Sequence, residues 1–343
     1  MTQRPTIIVE ADGYSLPGLR KTLHPCPLAA AIRQAEQFGG ALIEVKGAVT
    51  KRIDIGGPAG YQNKDNCAYW KRGPITNVTI SGVPSRPAST IGPMRFWNGL
   101  GGVRDIEFVD LRIQNDPNEF APILTARNGV HGHITLVRCD FIGAGSNWNG
   151  RGMKWGIRGH GPARWTITGC TFEPAQEHSI YIDNPQGDLL IEECDGVGNG
   201  RTFMQITNRP TSGPSQFGNI LVRECSCFDI DDAGGGGSDY TFVGCTGKLE
   251  VVNCESGNTK NGALVCWTDT SNGTYPVREN YSFDSVSIVN FKAVSRRATR
   301  PMISLSGIYM GKVVGAQIES PSLNYRLGGQ YGGPRPNYQV EID

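Results

Sequence analysis

Two short stretches decide the fold: RWTITGCTF (residues 164–172) and HITLVRCDF (residues 133–141). Both fit one template, in which two apolar residues at alternate positions precede two variable positions, then Cys, any residue and Phe. Alternating apolar residues are typical of a strand with one buried face. The chain therefore repeats one kind of strand, and the same slot of both copies holds a cysteine.

The template recurs along most of the chain, with intervals between most copies of 20 to 37 residues. Further copies are VTISGV (78–83), IEFVDLRI (106–113), LLIEEC (189–194), ILVREC (220–225), YTFVGC (240–245), LEVVNC (249–254) and VSIVNF (286–291). The copy that ends at Cys254 follows the one that ends at Cys245 after only nine residues. That interval is too short for a full repeat.

A second kind of short alternating strand lies between the template copies. Its members are APILTARNG (121–129), KWGIRGHG (154–161), SIYIDNPQG (179–187), FMQITNRP (203–210), ALVCWTDT (263–270) and MISLSGI (302–308). Most of them run into Asn, Gly, Pro or Asp, which favour turns. The repeating unit is thus predicted to be strand, turn, strand and a loop of variable length.

Units of this length indicate a solenoid or a propeller. A propeller blade needs about 40 residues and four strands, and a leucine-rich repeat needs a leucine ladder that is absent. The pattern therefore predicts an all-β fold, a single-stranded right-handed parallel β-helix in which each unit is one coil. Equal slots of successive coils then lie above one another, so the cysteine slot forms an inward column.

The ends of a coil need covering, because they expose unpaired strand edges. CPLAAAIRQAEQFGG (26–40) predicts an N-terminal capping α-helix with Leu28, Ile32, Ala35 and Phe38 near one face and Gly39–Gly40 at its end. We expect three segments: an arm and capping helix (1–50), the coils (51–320) and a Gly- and Pro-rich C-terminal tail (321–343).

Composition excludes several classes of function. The net charge of +1 across 343 residues leaves no basic field for nucleic acid, so no nucleic-acid partner is expected. The sequence contains no run of about 18 apolar residues, so it predicts no membrane helix. The first residues also lack the apolar stretch of a secretory signal. The ten cysteines include no C-x-x-C pair, so we expect buried thiols, with a structural disulfide as the alternative and no metal or cofactor.

With these motifs in place, the chain resembles the right-handed parallel β-helix superfamily, the pectate-lyase-like fold. The resemblance rests on LAAAIRQAEQFGGALIEVKG, on VTISG and on the coil motif from about residue 26 to 320. That superfamily includes pectate lyases, polygalacturonases and epimerases, as well as phage tailspikes and β-helical phage surface proteins. The resemblance is closest in character to the phage proteins and implies a homotrimer, but a fold does not assign an activity.

Candidate catalytic residues are few. Hydrolysis of a polysaccharide needs two carboxylates facing one sugar, and a lyase needs a base and usually calcium. Glu177 and Asp183 in EPAQEHSIYIDN, with Arg158 of WGIRGH, are weak candidates. Asp183 is predicted to share a coil slot with Arg158 and with Thr207, which is equally typical of an ordinary ladder contact between stacked strands.

Aromatic and basic residues indicate a binding surface instead. Trp148 and Trp155 flank Arg151 and Lys154, and Tyr181 is predicted to lie in the coil slot next to Gly156. Aromatic faces beside polar groups bind sugar rings and also suit protein interfaces. Sugar binding, a subunit or partner interface, and ordinary loop packing all remain open for these five residues.

Three functions follow as hypotheses. The first is a non-enzymatic phage virion protein, homotrimeric, that decorates or stabilises the capsid or is mounted on the tail; it would be made in the host cytoplasm and located in the virion. The second is a polysaccharide lyase or glycoside hydrolase of the tailspike type. The third is a carbohydrate-binding module. Two close carboxylates would favour the enzyme, and an exposed aromatic row without acid–base partners would favour the binding module.

Overall fold

The computed structural model describes residues 4–55, 67–69, 75–83, 89–96, 104–125, 132–144, 151–161, 163–185, 187–207, 217–231, 238–244, 247–267, 283–328 and 339–343. These residues form one α-helix, α1 (Pro27–Gln37), and 35 strands, numbered β1 to β35 in chain order. The strands pair side by side in three sheets of 14, 11 and 10 strands.

The first sheet contains the strands of the sequence template. Its members are β1 (Thr6–Glu10), β2 (Gly13–Ser15), β3 (Thr22–Leu23), β4 (Ala41–Val45), β8 (Val78–Gly82), β11 (Asp105–Val109), β14 (His133–Val137), β17 (Arg164–Thr168), β20 (Gly187–Glu192), β23 (Phe217–Arg223), β26 (Lys248–Val252), β29 (Phe283–Val289), β32 (Ile308–Val314) and β35 (Gln339–Ile342).

The second sheet contains the other predicted kind of strand. Its members are β6 (Ile53–Ile55), β7 (Cys67–Tyr69), β10 (Met94–Phe96), β13 (Ile123–Thr125), β16 (Trp155–His160), β19 (His178–Asp183), β22 (Thr202–Thr207), β25 (Tyr240–Val243), β28 (Leu264–Trp267), β31 (Ile303–Leu305) and β34 (Tyr325–Leu327).

A third sheet was not expected from the sequence. Its members are β5 (Ala48–Val49), β9 (Thr90–Ile91), β12 (Arg112–Gln114), β15 (Asp140–Ile142), β18 (Thr171–Phe172), β21 (Asp195–Val197), β24 (Ser226–Phe228), β27 (Glu255–Gly257), β30 (Lys292–Val294) and β33 (Gln317–Glu319). These strands are two or three residues long and follow the cysteine slot, so the template spans two strands and the corner between them.

The coils stack in parallel register. The strand β26 pairs with β29, and β29 with β32, so that Leu249, Val286 and Gly311 lie in one row. Antiparallel pairing is described only for β1–β2 and β2–β3, at the start of the chain. These pairings confirm the prediction of an all-β parallel β-helix with an N-terminal helix.

A left-handed residue forms the corner between the first and third sheets. Asp110, Arg138 and Gly169 have φ angles of 54°, 49° and 62°, and each stands directly before the inward slot of its coil. This conformation costs about 1–2 kcal/mol for a residue other than glycine. Backbone hydrogen bonds to the next coil hold it, from Asp110 N to Val137 O (3.0 Å) and from Arg138 N to Thr168 O (2.8 Å).

The inward slot holds buried thiols, as the sequence predicts. The chain divides into two compact units: an N-terminal unit of Met1–Met153 with Arg158–Thr171, and a C-terminal unit of Lys154–Ile157 with Phe172–Asp343. In the N-terminal unit Cys139 and Cys170 are buried. Their Sγ atoms donate to the carbonyl oxygens of Phe108 (3.5 Å) and Leu136 (3.8 Å) in the preceding coils. The hydrogen bond to Cys170, together with burial, raises the pKa of the Cys139 thiol.

The C-terminal unit repeats this arrangement with three thiols. Cys194, Cys225 and Cys254 are buried and form no disulfide bond. The Sγ atoms of Cys225 and Cys254 donate to carbonyl oxygens one coil earlier, at 3.8 and 3.7 Å. Cys26 departs from the expectation of thiols, because it is disulfide-bonded.

The predicted copy YTFVGC belongs elsewhere. Tyr240–Val243 is β25 of the second sheet, where it pairs with β22 and β28, and not a strand of the first sheet. The assignment of this copy to the template was therefore wrong. The short interval before Cys254 has a simple cause, since the two segments lie on different sheets of the coil.

The helix α1 belongs to the N-terminal unit and packs against β1 and β4. Leu28, Ile32 and Ala35 are buried on it, as predicted. Phe38 is the C-cap residue and is 43% exposed, so it does not share the buried face. Gly39 N and Gly40 N bond to the carbonyl oxygens of Glu36 and Ala35, which is the Schellman motif that ends many helices.

The paired strands extend on both sides of the segment that the sequence predicts to be coils (51–320). The strands β34 and β35 lie within residues 321–343, which the sequence marks as a tail, and β1 and β4 lie within residues 1–50. In the part of the chain that the structure describes, no helix combines the length and the apolar character needed to cross a bilayer.

Replacing Cys170 by Asp tests the inward column. We expect the Asp variant to lose more than about 3 kcal/mol of unfolding free energy, because it buries a carboxylate beside the carbonyl oxygens of Leu136 and Thr168, which repel it. Cys170→Ala is the matched control and should lose only about 1–2 kcal/mol. Chemical denaturation followed by circular dichroism measures both. Equal stability of the two variants would contradict an inward position for residue 170.

Candidate functional site

A cluster of charged and aromatic side chains lies at the start of two second-sheet strands in the C-terminal unit. Lys154, Trp155 and Glu177 come together here: Lys154 Nζ lies 4.5 Å from the centre of the Trp155 ring and 3.1 Å from Glu177 Oε1. The backbone joins them too, since Glu177 N donates to Lys154 O at 2.9 Å. Trp155 and Glu177, separated in sequence, therefore form one site.

Glu177 is the centre of this cluster. Its second oxygen, Oε2, lies 3.9 Å from Arg201 Nη1 and 3.7 Å from His178 Nε2. The Lys154 and Glu177 side chains are 25% and 27% exposed, and Arg201 is 38% exposed. The carboxylate is thus held between two permanent cations at the edge of solvent.

Tyr181 and Asp183 lie further along β19, on buried positions. Tyr181 is 3% exposed and Asp183 is 4% exposed. The Tyr181 ring lies 5.1 Å from the His178 ring, centre to centre, and His178 Nδ1 bonds to Thr202 Oγ1. The low exposure of Tyr181 leaves Trp155 as the accessible aromatic residue of the cluster.

The register of β19 bears out one predicted neighbour. Asp183 pairs with Thr207, and Tyr181 pairs with Gln205. A Cβ on Gly156 would meet the carbonyl oxygen of Ser179 at 2.5 Å, so Gly156 lies against Ser179 and not in the slot of Tyr181. The prediction that Tyr181 lies next to Gly156 was therefore wrong.

The other predicted residues belong to the N-terminal unit or lie outside the described residues. Arg158 belongs to the N-terminal unit, where its Nε donates to His160 Nε2 at 2.7 Å. Its predicted pairing with Asp183 stays a prediction. Arg151 is half-buried in the N-terminal unit, with its carbonyl oxygen beside Gly143. Trp148 lies outside the described residues.

Sequence reasoning missed an ion-pair cluster in the N-terminal unit. The Glu119 carboxylate, 3% exposed, lies between the guanidinium groups of Arg52 and Arg95, and Arg52 Nη2 bonds to Asp54 Oδ2 at 2.9 Å. Asp54 and Arg95 are direct neighbours on β6 and β10. Two cations balance two anions, so the cluster ties the 115–119 segment to the second sheet. Its members are 67 residues apart at most, and no local pattern marks them.

A buried carboxyl group lies inside the C-terminal unit. Asp239 is 1% exposed, and its oxygens accept hydrogen bonds from Ser256 Oγ (2.5 Å), Thr259 Oγ1 (2.8 Å) and Cys227 Sγ (3.7 Å). Burial raises the pKa of Asp239 to about 7, although these hydrogen bonds act to lower it. The group lies in the segment DIDDAGGGGSD (229–239), which the sequence indicates as a loop.

The outer face of the first sheet carries a cavity in each unit. In the N-terminal unit a cavity of 270 Å³ is lined by Asp105, Glu107 and His133, among others. Burial and the nearby Arg164 lower the pKa of His133 there. In the C-terminal unit a cavity of 380 Å³ lies over β26, β29 and β32.

Among the described residues, no group of three or more His, Cys, Asp or Glu side chains is arranged to hold a metal ion. No protein-family profile, curated protein sequence or solved structure matches this chain. The parallel β-helix is therefore established by the strand pairings themselves, and the function has to be argued from the cluster around Glu177.

The buried Asp239 predicts a pH dependence of stability. Because the pKa is raised from 3.8 to about 7, the folded state holds this proton more tightly than the unfolded chain. The resulting stabilisation is complete at low pH and is lost as the pH rises towards about 7. Replacing Asp239 by Asn keeps the hydrogen-bonding shape without the titration.

We expect the unfolding free energy of wild type, relative to Asp239→Asn, to fall by about 4 kcal/mol between about pH 4 and about pH 8. Urea denaturation of both proteins at each pH measures this difference, and the shared carboxylates cancel in it. A difference that stays constant with pH would show that Asp239 titrates normally.

Proposed function

We propose that this chain is a non-catalytic β-helical protein of a phage particle, carried on the capsid or the tail as a homo-oligomer. The observation that supports a non-catalytic role is the burial of Asp183. Of the two predicted catalytic carboxylates, Glu177 lies at the edge of solvent, whereas Asp183 is only 4% exposed. Hydrolysis of a sugar by a pair of carboxylates needs both groups to face the same glycosidic bond, which the burial of Asp183 opposes.

The resemblance to phage β-helical surface proteins supports the assignment to a particle. The structure contributes the fold on which that resemblance rests, a parallel β-helix whose coils are held by ladder hydrogen bonds. Many activities occur on this architecture, so the fold alone does not choose among them. A location in the virion is part of the same proposal.

Incubation with acidic and neutral polysaccharides tests the absence of catalysis. We expect no release of reducing ends and no unsaturated product from any glycan in the panel. The protein concentration should be that of an ordinary enzyme assay, and the incubation should last many hours. Turnover of one glycan that is lost in Glu177→Gln, with unchanged thermal stability, would overturn the proposal. It would favour a polysaccharide lyase or glycoside hydrolase instead.

A second candidate function is carbohydrate binding at the Glu177 cluster. It is favoured by the half-buried Trp155 ring, which carries Lys154 on one face at 4.5 Å and stands beside the charged edge of Glu177. Indole rings bind the apolar faces of sugars. Carboxylates accept hydrogen bonds from sugar hydroxyl groups, and Lys and Arg side chains donate hydrogen bonds to them. Binding of this kind is compatible with a particle protein that contacts a glycan-coated surface.

Glycan-array screening followed by calorimetry tests this second candidate. For a glycan that binds wild type, we expect Trp155→Ala to weaken affinity at least tenfold, since the ring supplies most of the apolar contact. Tyr309→Ala is the control, because Tyr309 is an exposed aromatic residue (43%) of β32, outside the cluster. Equal loss in both variants, or none in Trp155→Ala, would exclude the cluster as the binding site.

A further inference from the structure

The outer face of the first sheet in the C-terminal unit carries two rows of side chains around the 380 Å³ cavity. The first row is Lys248, Ser285, Met310 and Gln339, and the second row is Glu250, Ser287, Lys312 and Glu341. Neighbours within a row are one strand apart, about 4.8 Å, and the rows are about 6.6 Å apart along the strands. We call this surface the two-row face.

The charged residues of the two-row face have no ion-pair partners in the described chain. Lys248, Glu250, Lys312 and Glu341 form no hydrogen bond or ion pair through their side chains with any described residue. Lys312 and Glu341 are nevertheless direct neighbours on β32 and β35. The charges of both signs are exposed and available to a partner.

The floor of the cavity is made by small side chains. Ser285 and Ser287 point outwards from β29, between the longer side chains of β26 and β32. Met310, 48% exposed, adds an apolar patch to one wall. A partner can therefore approach the sheet closely, with long side chains reaching across on both sides of the serines.

We propose that the two-row face binds the same face of a second copy of this chain, related by a two-fold axis that runs across the strands midway between the rows. That axis places the first row of one copy against the second row of the other. Lys248 then faces Glu250 of the second copy twice by symmetry, and Gln339 faces Glu341. The serines face each other, which permits close contact.

Charge selects this arrangement over the alternative. A two-fold axis along the strands would place β26 against β35 and bring Glu250 opposite Glu341, so like charges would meet. A two-fold axis that runs across the strands through the second row would set each charged residue of that row against the same residue of the other copy. The pattern is self-complementary only when the two rows exchange, as an isologous interface requires.

This inference names the surface that holds the homo-oligomer of the proposed function together. It rests only on the proposal that the protein is a homo-oligomer. The resemblance implies a three-fold assembly, whereas the two-row face predicts a two-fold contact. Exposed ion pairs contribute modestly and are screened by salt. We therefore expect a reversible dimer whose dissociation constant rises with ionic strength.

Sedimentation equilibrium over a range of protein and salt concentrations tests the proposal. We expect wild type to change from monomer to dimer as its concentration rises. Lys248→Glu should raise the dissociation constant at least tenfold, because it sets an acidic group against Glu250 at each of the two symmetric contacts. Glu250→Lys should do the same, and the double variant Lys248→Glu, Glu250→Lys should restore the dimer.

Lys46→Glu is the matched control, since Lys46 is an exposed lysine of the N-terminal unit and should leave the mass unchanged. A monomer at all concentrations, or a double variant that does not recover the dimer, would overturn the proposal. A trimer that Lys248→Glu does not affect would also overturn it, yet would leave the proposed particle role standing. Thermal melting of each variant separates loss of contact from loss of folding.

Discussion

The structure depends on one constraint, the in-register stacking of a left-handed corner in successive coils. At this corner the chain leaves the first sheet and enters the third within two residues. Asp110 and Arg138 accept an unfavourable backbone conformation there because their amide groups bond to the coil above. The same bonds align the next residue inwards, and the thiols of Cys139 and Cys170 then reach carbonyl oxygens of the coil before.

That corner explains why the repeat is visible in sequence yet variable in length. Geometry restricts the residue types around the corner. Apolar residues precede it, a polar residue or glycine occupies it, and a buried apolar residue, most often cysteine, follows it. The loops that follow the second sheet are under no such restriction. Corner residues as different as Asn253, Asn290 and Gly315 can alternate, because the bonds from Asn253 N to Val289 O and from Asn290 N to Val314 O use backbone groups that every residue but proline has. Side chains add to these bonds where they can, as Asn290 Nδ2 does by donating to Asn253 Oδ1 at 3.1 Å.

The charged groups of the protein serve two distinct purposes. Inside or beneath the coils they are balanced, as in the Arg52, Arg95, Asp54 and Glu119 cluster, or held by hydrogen bonds, as in Asp239, whose pKa burial raises to about 7. At the surface, the charged side chains of the two-row face form no ion pair with any described residue, whereas those around Glu177 pair with one another. Both surfaces place charge at the edge of solvent beside an aromatic or a small side chain, which suits recognition of a partner.

Sequence alone determined the class of fold, the inward cysteine column and the capping helix, because each depends on a local period that the chain repeats. It also indicated the stretch 173–183 and the Trp155 neighbourhood as places of interest, but not that Lys154, Trp155 and Glu177 meet. Their contact depends on how the segments that lead into β16 and β19 are aligned, with Glu177 N donating to Lys154 O. The third sheet was missed because its strands are too short to show a period, and the Glu119 cluster was missed because its partners are far apart in sequence. Register and long-range pairing are properties of the stacked coils, so only the tertiary structure decided them.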